Sequence, residues 1–278
     1  TGTIEDNDGA PTLSINDVTV NEDAGTMSFT VSLSAQTESP VTFSYASAEN
    51  GSATSDVDYD AVSGNGSIAG TAGNLSTTIT VPINDDFLKE GDETFLMNVT
   101  PTSGNVDGAN SDLQGVGTIE DAGTPTPEQP PETQTNVDTV YARLVNSDSD
   151  EEGQTLTHTV ELYSFDETGT EIPVEVPAGE TVTVTIGYNE AGTDTAGSGD
   201  YTPDTQVTIG AGQSSGTVSV ATTDDVFDEN NELYTATLTG VSTANDSFEA
   251  LVIDTAADEV TGTIEDNDGA PTLSINDV

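Results

Sequence analysis

The chain has 278 residues, with 51 acidic side chains, two basic ones, no cysteine and a formal net charge of −49. Two cations cannot neutralise a phosphate backbone, which excludes nucleic-acid binding, and a chain without cysteine has no disulfide and no zinc–thiolate site. No apolar run reaches the roughly 18 residues of a membrane span, so we expect an acidic extracellular chain of about two domains without membrane insertion.

The two ends of the sequence are identical. Thr1–Val18 reads TGTIEDNDGAPTLSINDV, and Thr261–Val278 repeats it letter for letter. A repeat at this distance indicates an array of whole domains. We therefore expect a piece of a longer array, in which residues 1–9 are the tail of a preceding repeat and residues 269–278 begin the next one. Both segments should pack poorly by themselves.

Strand patterns dominate the region between these ends. Apolar and polar residues alternate in Met27–Leu33, Thr77–Ile83, Thr181–Ile186 and Thr217–Ala221, and Gly, Asn, Asp and Ser separate such runs. The fold class expected is all-β: two tandem Greek-key, immunoglobulin-like β-sandwiches joined by a Pro-rich linker. The predicted boundaries are 10–121 for the first sandwich, 122–135 for the linker and 136–268 for the second sandwich.

The acidic residues of the first unit are grouped in loops, whereas its strands are nearly free of charge. Loops at one end of a sandwich converge, and Ca²⁺ takes six to eight oxygen ligands of the carboxylate and carbonyl type. The pattern therefore predicts a calcium site at one end of the sandwich. The groups are Glu22-Asp23, Asp56 to Asp60, Asp85-Asp86, Glu90 to Glu93, and Glu120-Asp121.

At these loops the sequence resembles the Calx-beta domain, from about Pro11 to Asp121. The resemblance rests on Asp56-x-Asp58-Tyr59, Ile83-x-Asp85-Asp86, Glu90-x-x-Glu93-x-Phe95 and Ile119-x-Asp121. It implies a β-sandwich that binds Ca²⁺ at the end where the chain exits. The implied ligands are Glu22, Asp58, Asp85, Asp86, Glu90, Glu93 and Asp121, together with Asp56 and Glu120. The first unit ends Glu120-Asp121-Ala122-Gly123, without the last acid of the Glu265–Asp268 junction, which leaves the number of ions open.

The second unit carries an echo of the same pattern. Gly199-Asp200-Tyr201 matches the Asp-Tyr element, and Asp224-Asp225 with Asp228, Glu229 and Glu232 matches the paired-acid loop. The runs IPVEVPAGETVTVTI and FEALVIDT are similar to the immunoglobulin-like extender modules of giant bacterial RTX adhesins. The metal ligands predicted for this unit are Glu152, Asp200, Asp224, Asp225, Asp228, Glu232, Asp266 and Asp268.

Other interpretations of the acids stay open at this point. Salt adaptation would replace lysine by acid over the whole surface, which fits the scattered acids of the second unit better than the grouped acids of the first. Some acids, among them Asp148, Asp150 and Asp194, fit ordinary turns. An EF-hand is excluded by spacing, since no Glu follows Gly9 at the required distance. Catalysis is not expected, because His158 is the sole histidine and lies in an alternating run.

The function expected is a calcium-stabilised structural extender of a large, repetitive bacterial surface adhesin, which Ca²⁺ makes rigid at loop and junction sites. The resemblance implies an extracellular location at the bacterial cell surface and export by a type I route. The partners expected are calcium and the neighbouring domains of the same chain, in a monomeric rod segment. One alternative is a calcium-dependent module that binds a carbohydrate or a protein. Another is a calcium sensor, which the tandem, acidic, cysteine-free chain disfavours.

Overall fold

A computed structural model of the protein describes residue 2 and the ranges 9–103, 106–121, 138–166, 168–188 and 194–275. The chain divides into two compact units, Thr1–Asn136 and Val137–Val278. The predicted linker, residues 122–135, lies outside the described residues, as do residues 1, 3–8 and 276–278 of the two end segments. Among the residues described, no helix is long and apolar enough to cross a membrane.

The first unit consists of two β-sheets. One sheet has the strand order β1-β3-β6, and the other has the order β2-β8-β7-β4-β5. Pairing is antiparallel except between β2 and β8, which run parallel. The strands are β1 (Leu13–Ile15), β2 (Val18–Asn21), β3 (Thr26–Leu33), β4 (Val41–Ala48), β5 (Ser63–Ile68), β6 (Ser76–Pro82), β7 (Glu93–Pro101) and β8 (Gln114–Glu120).

The core of the first unit lies between these two sheets. Along β3 the buried residues alternate with exposed or half-buried ones, as a strand with one face on a core requires. Phe29 of β3 meets Phe95 of β7 edge to face, with ring centroids 5.9 Å apart, and Tyr59 stacks on Phe95 at 4.2 Å. Tyr59 is thereby part of the core, 1% exposed, and it anchors the loop that carries Asp58.

The second unit repeats this architecture. Its sheets have the orders β10-β19-β17-β13-β15 and β14-β16-β11-β9-β18, with β12 paired to β11. The strands are β9 (Thr139–Val145), β10 (Asp148–Glu151), β11 (Thr155–Phe165), β12 (Glu171–Pro173), β13 (Thr181–Tyr188), β14 (Tyr201–Pro203), β15 (Gln206–Gly210), β16 (Ser215–Thr222), β17 (Glu232–Thr243), β18 (Ala250–Ile253) and β19 (Glu259–Glu265). The prediction of two all-β sandwiches is confirmed.

A polar pair lies in the core of the second unit. His158 of β11 is fully buried, and its Nε2 lies 2.9 Å from the hydroxyl of Tyr234 on the opposite sheet. Its Nδ1 lies 2.9 Å from the carbonyl oxygen of Asn146, so that this nitrogen carries the proton and donates. The histidine therefore links the two sheets within the core, and this structural role accounts for its burial.

The final strand of each unit pairs in parallel with a strand near its beginning. In the first unit, β2 lies beside β8, with Asn21 opposite Glu120. In the second unit, β10 lies beside β19, with Glu151 opposite Glu265. Each pair of strands runs in the same direction, so the residues that follow them emerge at the same end of the sandwich. Those residues are acidic in both units.

Candidate metal centre

Acidic loops of the first unit form one polar pocket at this end of the sandwich. Glu22 follows β2 in a short turn that ends at Gly25, whose φ of 64° is the left-handed conformation that glycine adopts without strain. Glu93 begins β7, and Asp121 follows β8. The residues lining the pocket are Glu22, Val57, Asp58, Asn84, Asp86, Glu90, Gly91, Glu93, Ile119 and Asp121.

The carboxylates in this pocket lie within ligand distance of one another. Oxygens of Asp58, Glu90 and Glu93 lie within 4.8 Å of each other, and so do oxygens of Glu22 and Asp121. Two loop contacts orient them. The backbone N–H of Leu88 donates to Asp86 Oδ1 at 2.7 Å, and the N–H of Glu90 donates to Asp121 Oδ2 at 3.1 Å.

Burial and like charge raise the pKa values of several of these groups. Desolvation raises the pKa of Glu93 to about 7, assisted by the hydrogen bond that its protonated carboxyl group donates to Asp58 and by the negative charges around it. Desolvation also raises the pKa of Glu90 and of Asp86, and neighbouring carboxylates add to both shifts. Without a cation Glu93 is therefore partly protonated near neutral pH.

Two oxygens in the pocket are buried without a hydrogen bond from any residue that the structure describes, Glu93 Oε2 and Asp121 Oδ1. A buried anionic oxygen without a donor is costly, and coordination to a cation satisfies it. The position of these oxygens beside Asp58 and Glu22 therefore fits a bound metal ion.

The second unit contains a corresponding pocket. Oxygens of Glu152, Asp266 and Asp268 lie within 4.8 Å of one another. Glu152 is 8% exposed, and burial raises the pKa of its carboxyl group, with further contributions from Asp225, Asp268 and Asp266. Its Oε1 and the Oδ2 of Asp268 are buried and receive no hydrogen bond within the described ranges.

The loop contacts of the first pocket recur in the second. The N–H of Phe227 donates to Asp225 Oδ1 at 2.7 Å, as Leu88 does to Asp86. The N–H of Glu229 donates to Asp266 Oδ2 at 3.0 Å, as Glu90 does to Asp121.

The carboxyl pairs recur as well. Desolvation raises the pKa of Glu232 to about 7, and the next causes are the negative charge of Asp200 and the hydrogen bond that protonated Glu232 donates to Asp200. Glu93 and Asp58 interact in the same way in the first unit. The two units thus share two loop hydrogen bonds and one carboxyl pair, whereas the carboxylates that lie within 4.8 Å of one another differ between them.

The structure brings most of the predicted ligands together and leaves others outside. The predicted residues in or beside the two pockets are Glu22, Asp58, Asp86, Glu90, Glu93, Asp121, Glu152, Asp200, Asp225, Glu232, Asp266 and Asp268. Asp56, Asp85 and Glu120 are exposed and do not line the first pocket. Asp56 has φ 64°, so the chain turns sharply at this residue. In the second unit Asp224 and Asp228 are exposed and belong to none of the close carboxylate groups among the described residues.

One acidic residue beside the second pocket was not among the predicted ligands. Glu229 holds the place of Glu90, since its N–H binds Asp266 and its charge contributes to raising the pKa of Glu232. The spacing Glu229-x-x-Glu232 repeats Glu90-x-x-Glu93 and would have selected Glu229 in place of Asp228. Asn84 also lines the first pocket, but it was not predicted, because only acidic residues were considered as ligands.

These oxygen-only pockets suit a hard divalent cation. Carboxylates in irregular, partly flexible loops favour Ca²⁺, which accepts six to eight oxygens, over Mg²⁺, which demands a compact octahedron. Fold and pocket therefore define a tandem pair of β-sandwich domains, each with a cluster of carboxylates at one end that offers the donor atoms for a metal ion.

Comparison with protein families gives this class its name. The Calx-beta domain model matches residues 5–119 and again residues 150–268. The chain therefore belongs to the Calx-beta domain family, with one copy in each unit, and Calx-beta domains bind calcium. The sequence resemblance covered the first unit only and assigned the second to an immunoglobulin-like extender module; the family match covers both.

Several solved structures are similar to the chain at low sequence identity. The calcium binding domain CBD12 of CALX1.1 is 13% identical over 90% of this chain and 98% of that chain, with a TM-score of 0.37. The tetra-tandem repeat in the extending region of a large adhesion protein is 14% identical over 92% of this chain and 50% of that chain, with a TM-score of 0.31. None of the curated proteins compared with the chain matched it.

Proposed function

We propose that the protein is a calcium-stabilised structural extender segment of a large, repetitive bacterial cell-surface adhesin. The observation that carries the proposal is the recurrence of one acidic pocket in two tandem sandwiches, each with buried carboxylate oxygens that lack a donor. A role in which each domain is a repeated, metal-stabilised spacer explains why both domains keep the pocket. The identical segments at the two ends support a repetitive parent chain.

The ligands proposed for the first unit come from separate loops. Asp58, Glu90 and Glu93 form one group, and Glu22 and Asp121 form another. The negative charge of Asp86 contributes to the raised pKa values of Glu90 and Glu93. In the second unit Asp200, Asp225, Glu229 and Glu232 accompany Glu152, Asp266 and Asp268. Because each ion joins loops that are distant in sequence, its loss would release the whole end of the sandwich.

The mechanism proposed is linkage between calcium binding and folding. Calcium binds the assembled pockets and hardly binds the unfolded chain, which stabilises the folded state by RT ln(1 + [Ca]/Kd) for each site. Extracellular modules have Kd values of about 10⁻⁴–10⁻³ M. Folding would therefore stay incomplete in calcium-poor cytoplasm and be completed outside the cell, in agreement with export as an unfolded chain.

We also propose that Ca²⁺ at loop and junction sites makes the segment more rigid, and a distance measurement tests this part. The chain has no cysteine, so spin labels can be placed at Ser28→Cys and Thr217→Cys, two exposed strand positions, one in each unit. We expect the distribution of distances between the labels, measured by pulsed electron paramagnetic resonance, to narrow when EDTA is replaced by millimolar CaCl₂. A distribution of unchanged width in a protein that binds calcium would contradict stiffening and leave only stabilisation.

A second candidate is a module that binds a carbohydrate ligand, and an aromatic group in the second unit favours it. The rings of Tyr141, Tyr163 and Phe165 have centroids 5.5–6.1 Å apart, and Phe165 is 48% exposed. Arg143 lies 4.3 Å from the centroid of the Tyr163 ring and binds Glu161 and Glu171. The exposed ring of Phe165 is suited to stack on a sugar face, and the neighbouring carboxylates are suited to accept hydrogen bonds from the sugar hydroxyl groups.

This second candidate predicts saturable binding on a glycan array in the presence of calcium. Phe165→Ala should lose the binding and Phe165→Tyr should retain it, because tyrosine keeps the stacking surface. If no glycan binds, or if both variants bind as wild type, this candidate is wrong.

A further inference from the structure

The loop that follows β4 contains the dipeptide Asn50-Gly51. Both residues are exposed, and the backbone bends at Gly51. With the residues that the structure describes, neither the Asn50 side chain nor the N–H of Gly51 forms a hydrogen bond. The side-chain amide and the backbone nitrogen that follows it are therefore free to approach each other.

Packing against β7 requires a glycine at position 51. A Cβ atom placed on Gly51 would overlap the carbonyl oxygen of Thr94, so any other residue would displace this part of the loop. Glycine also leaves its own backbone nitrogen unhindered, because no side chain stands beside it. The close approach of the loop to β7 thus places an unhindered nitrogen directly after an asparagine.

We propose that Asn50 is a site of spontaneous deamidation and that its conversion weakens the first pocket. The nitrogen of Gly51 attacks Cγ of Asn50 and forms a C–N bond, and the side-chain nitrogen leaves as ammonia with the proton of the Gly51 N–H. Water then opens the resulting succinimide ring at either carbonyl carbon, and no other reactant is needed. The products are aspartate and isoaspartate. The effect on the pocket rests on the proposed calcium function, whereas the deamidation itself does not.

The chain contains the same tripeptide, Asn-Gly-Ser, at a second place, where the structure opposes this reaction. Asn65-Gly66 lies within β5. Gly66 lies opposite Phe43 in the antiparallel ladder of β4 and β5, and a Cβ atom on it would overlap the Phe43 ring. A paired strand holds its backbone extended, and ring closure requires rotation out of that conformation. Asn65 should therefore be protected in the folded protein.

The reactive dipeptide lies between two attachments of the loop that carries Asp58. Before the dipeptide, Glu49 Oε1 accepts a hydrogen bond from the N–H of Ser55 at 2.9 Å. After it, Ser52 Oγ accepts a hydrogen bond from the N–H of Thr94 at 3.1 Å. Thr94 directly follows the pocket residue Glu93 in the chain. The length of the main chain between the two attachments therefore determines where the loop lies on β7.

Isoaspartate changes that length, because its main chain passes through the former side chain and gains one methylene group. The attachments at Glu49 and Ser52 cannot then both keep their present positions. Further along the loop, the N–H of Thr54 donates to Asp58 Oδ2 at 2.6 Å, and the N–H of Asp58 donates to the carbonyl oxygen of Thr54 at 3.0 Å. A shift of the loop therefore moves Asp58 relative to Glu93, and the first pocket loses its arrangement of ligands.

The second unit has the same attachment to its sheet but not the reactive dipeptide. The N–H of Leu233 donates to Thr195 Oγ1 at 2.9 Å, and the N–H of Ala196 donates to the carbonyl oxygen of Leu233 at 3.0 Å. The corresponding bonds of the first unit join Thr94 to residues 52 and 53. In the sequence, Thr193-Asp194 therefore corresponds to the dipeptide. Threonine has no amide to lose, so the second pocket is an internal control.

Mass spectrometry of the aged full chain tests the modification. The protein is incubated in mildly alkaline buffer with CaCl₂, and the peptides that contain Asn50 and Asn65 are compared for loss of the amide and for isoaspartate. Asn50 should convert about tenfold faster or more, because Gly66 must first leave the ladder of β5. In concentrated urea the two rates should be equal, since the tripeptides are identical. Equal rates in the folded protein, or no conversion at Asn50, would overturn the assignment.

Hydrogen exchange measured by mass spectrometry tests the effect on the pocket. In fresh protein, CaCl₂ should slow exchange in the loop 51–60 of the first unit and in the loop 195–200 of the second. After ageing, this protection should be lost in the first loop and unchanged in the second. The variant Asn50→Gln should keep both, because glutamine would have to close a larger, less favourable ring.

Each alternative result has a distinct meaning. Equal protection of the first loop in fresh and aged wild type, at full conversion of Asn50, would show that the pocket is unaffected and would overturn that part of the proposal. If calcium protects neither loop in fresh protein, the calcium function is wrong, and the effect on the pocket is wrong with it. The rates measured at Asn50 and Asn65 would still decide the deamidation by themselves.

Discussion

Calcium should raise the melting temperature of this protein by about 15–30 °C. At about 10 mM CaCl₂, a hundredfold excess over a Kd of about 10⁻⁴ M, each site adds about 2.7 kcal/mol to the free energy of unfolding. Two ions in each unit would then contribute about 5 kcal/mol to that unit. For a domain of this size, 1 kcal/mol corresponds to about 3–6 °C.

The measurement is thermal melting followed by circular dichroism, in EDTA and in CaCl₂. Two controls determine what a shift means. MgCl₂ should have little effect, because its octahedral preference does not fit these loops, and KCl at equal ionic strength tests simple screening of the acidic surface. A melting temperature that rises equally in KCl would favour salt adaptation, and one that is unchanged by calcium would contradict linkage.

Glu93→Gln and Glu232→Gln should change stability in opposite directions with and without calcium. In EDTA at pH 8 both carboxyl groups are forced to ionise in pockets that raise their pKa to about 7. Glutamine removes that charge at nearly constant shape, so the double variant should melt a few degrees higher than wild type. In CaCl₂ the variant lacks one ligand in each unit and should lose about half of the calcium-induced shift or more.

The pH dependence without calcium follows from the same two groups. A carboxyl group whose pKa is higher in the folded than in the unfolded protein binds its proton more tightly when folded, so protonation stabilises the fold. This contribution is complete below pH 4.5, the ordinary pKa, and is lost as the pH rises through about 7. Melting temperature in EDTA should therefore fall between these values in wild type and fall less steeply in the double variant.

Matched control substitutions keep this result interpretable. Glu38→Gln in the first unit and Glu175→Gln in the second remove one charge each at exposed positions outside the two pockets. They should leave both the calcium-induced shift and the pH profile unchanged. If they behave like Glu93→Gln and Glu232→Gln, the effect comes from total charge and not from the pockets.

The sequence predicted which loops are acidic, but it did not predict which of their side chains line the pocket. The acids that became pocket residues, such as Asp58 and Glu93, were predicted from grouping and from family resemblance. Asp56 and Asp85 belong to the same groups but are exposed. A loop has no period that determines which side chain points inward, and its direction depends on single backbone torsions such as φ 64° at Asp56.

In the second unit, too, the sequence did not predict which acids of one loop lie beside the pocket. Its loop contains Asp224, Asp225, Asp228 and Glu229, and composition alone does not rank them. The backbone N–H of Glu229 donates to Asp266, and the charge of Glu229 contributes to the raised pKa of Glu232, whereas the predicted ligand was the neighbouring Asp228. That contact joins the loop before β17 to the residue that follows β19, and the pairing of those two strands brings them together.

The sequence by itself determined that the protein is built from β-strands, that it contains two units and that it carries a repeated end segment. Alternation of apolar and polar residues follows from strand geometry, which is local. The tertiary structure alone decided which carboxylates share a pocket and whether a given strand is buried. Glu22 meets Asp121 because β2 lies parallel to β8. Leu13 is buried because β1 pairs with β3 and its side chain belongs to the core between the two sheets.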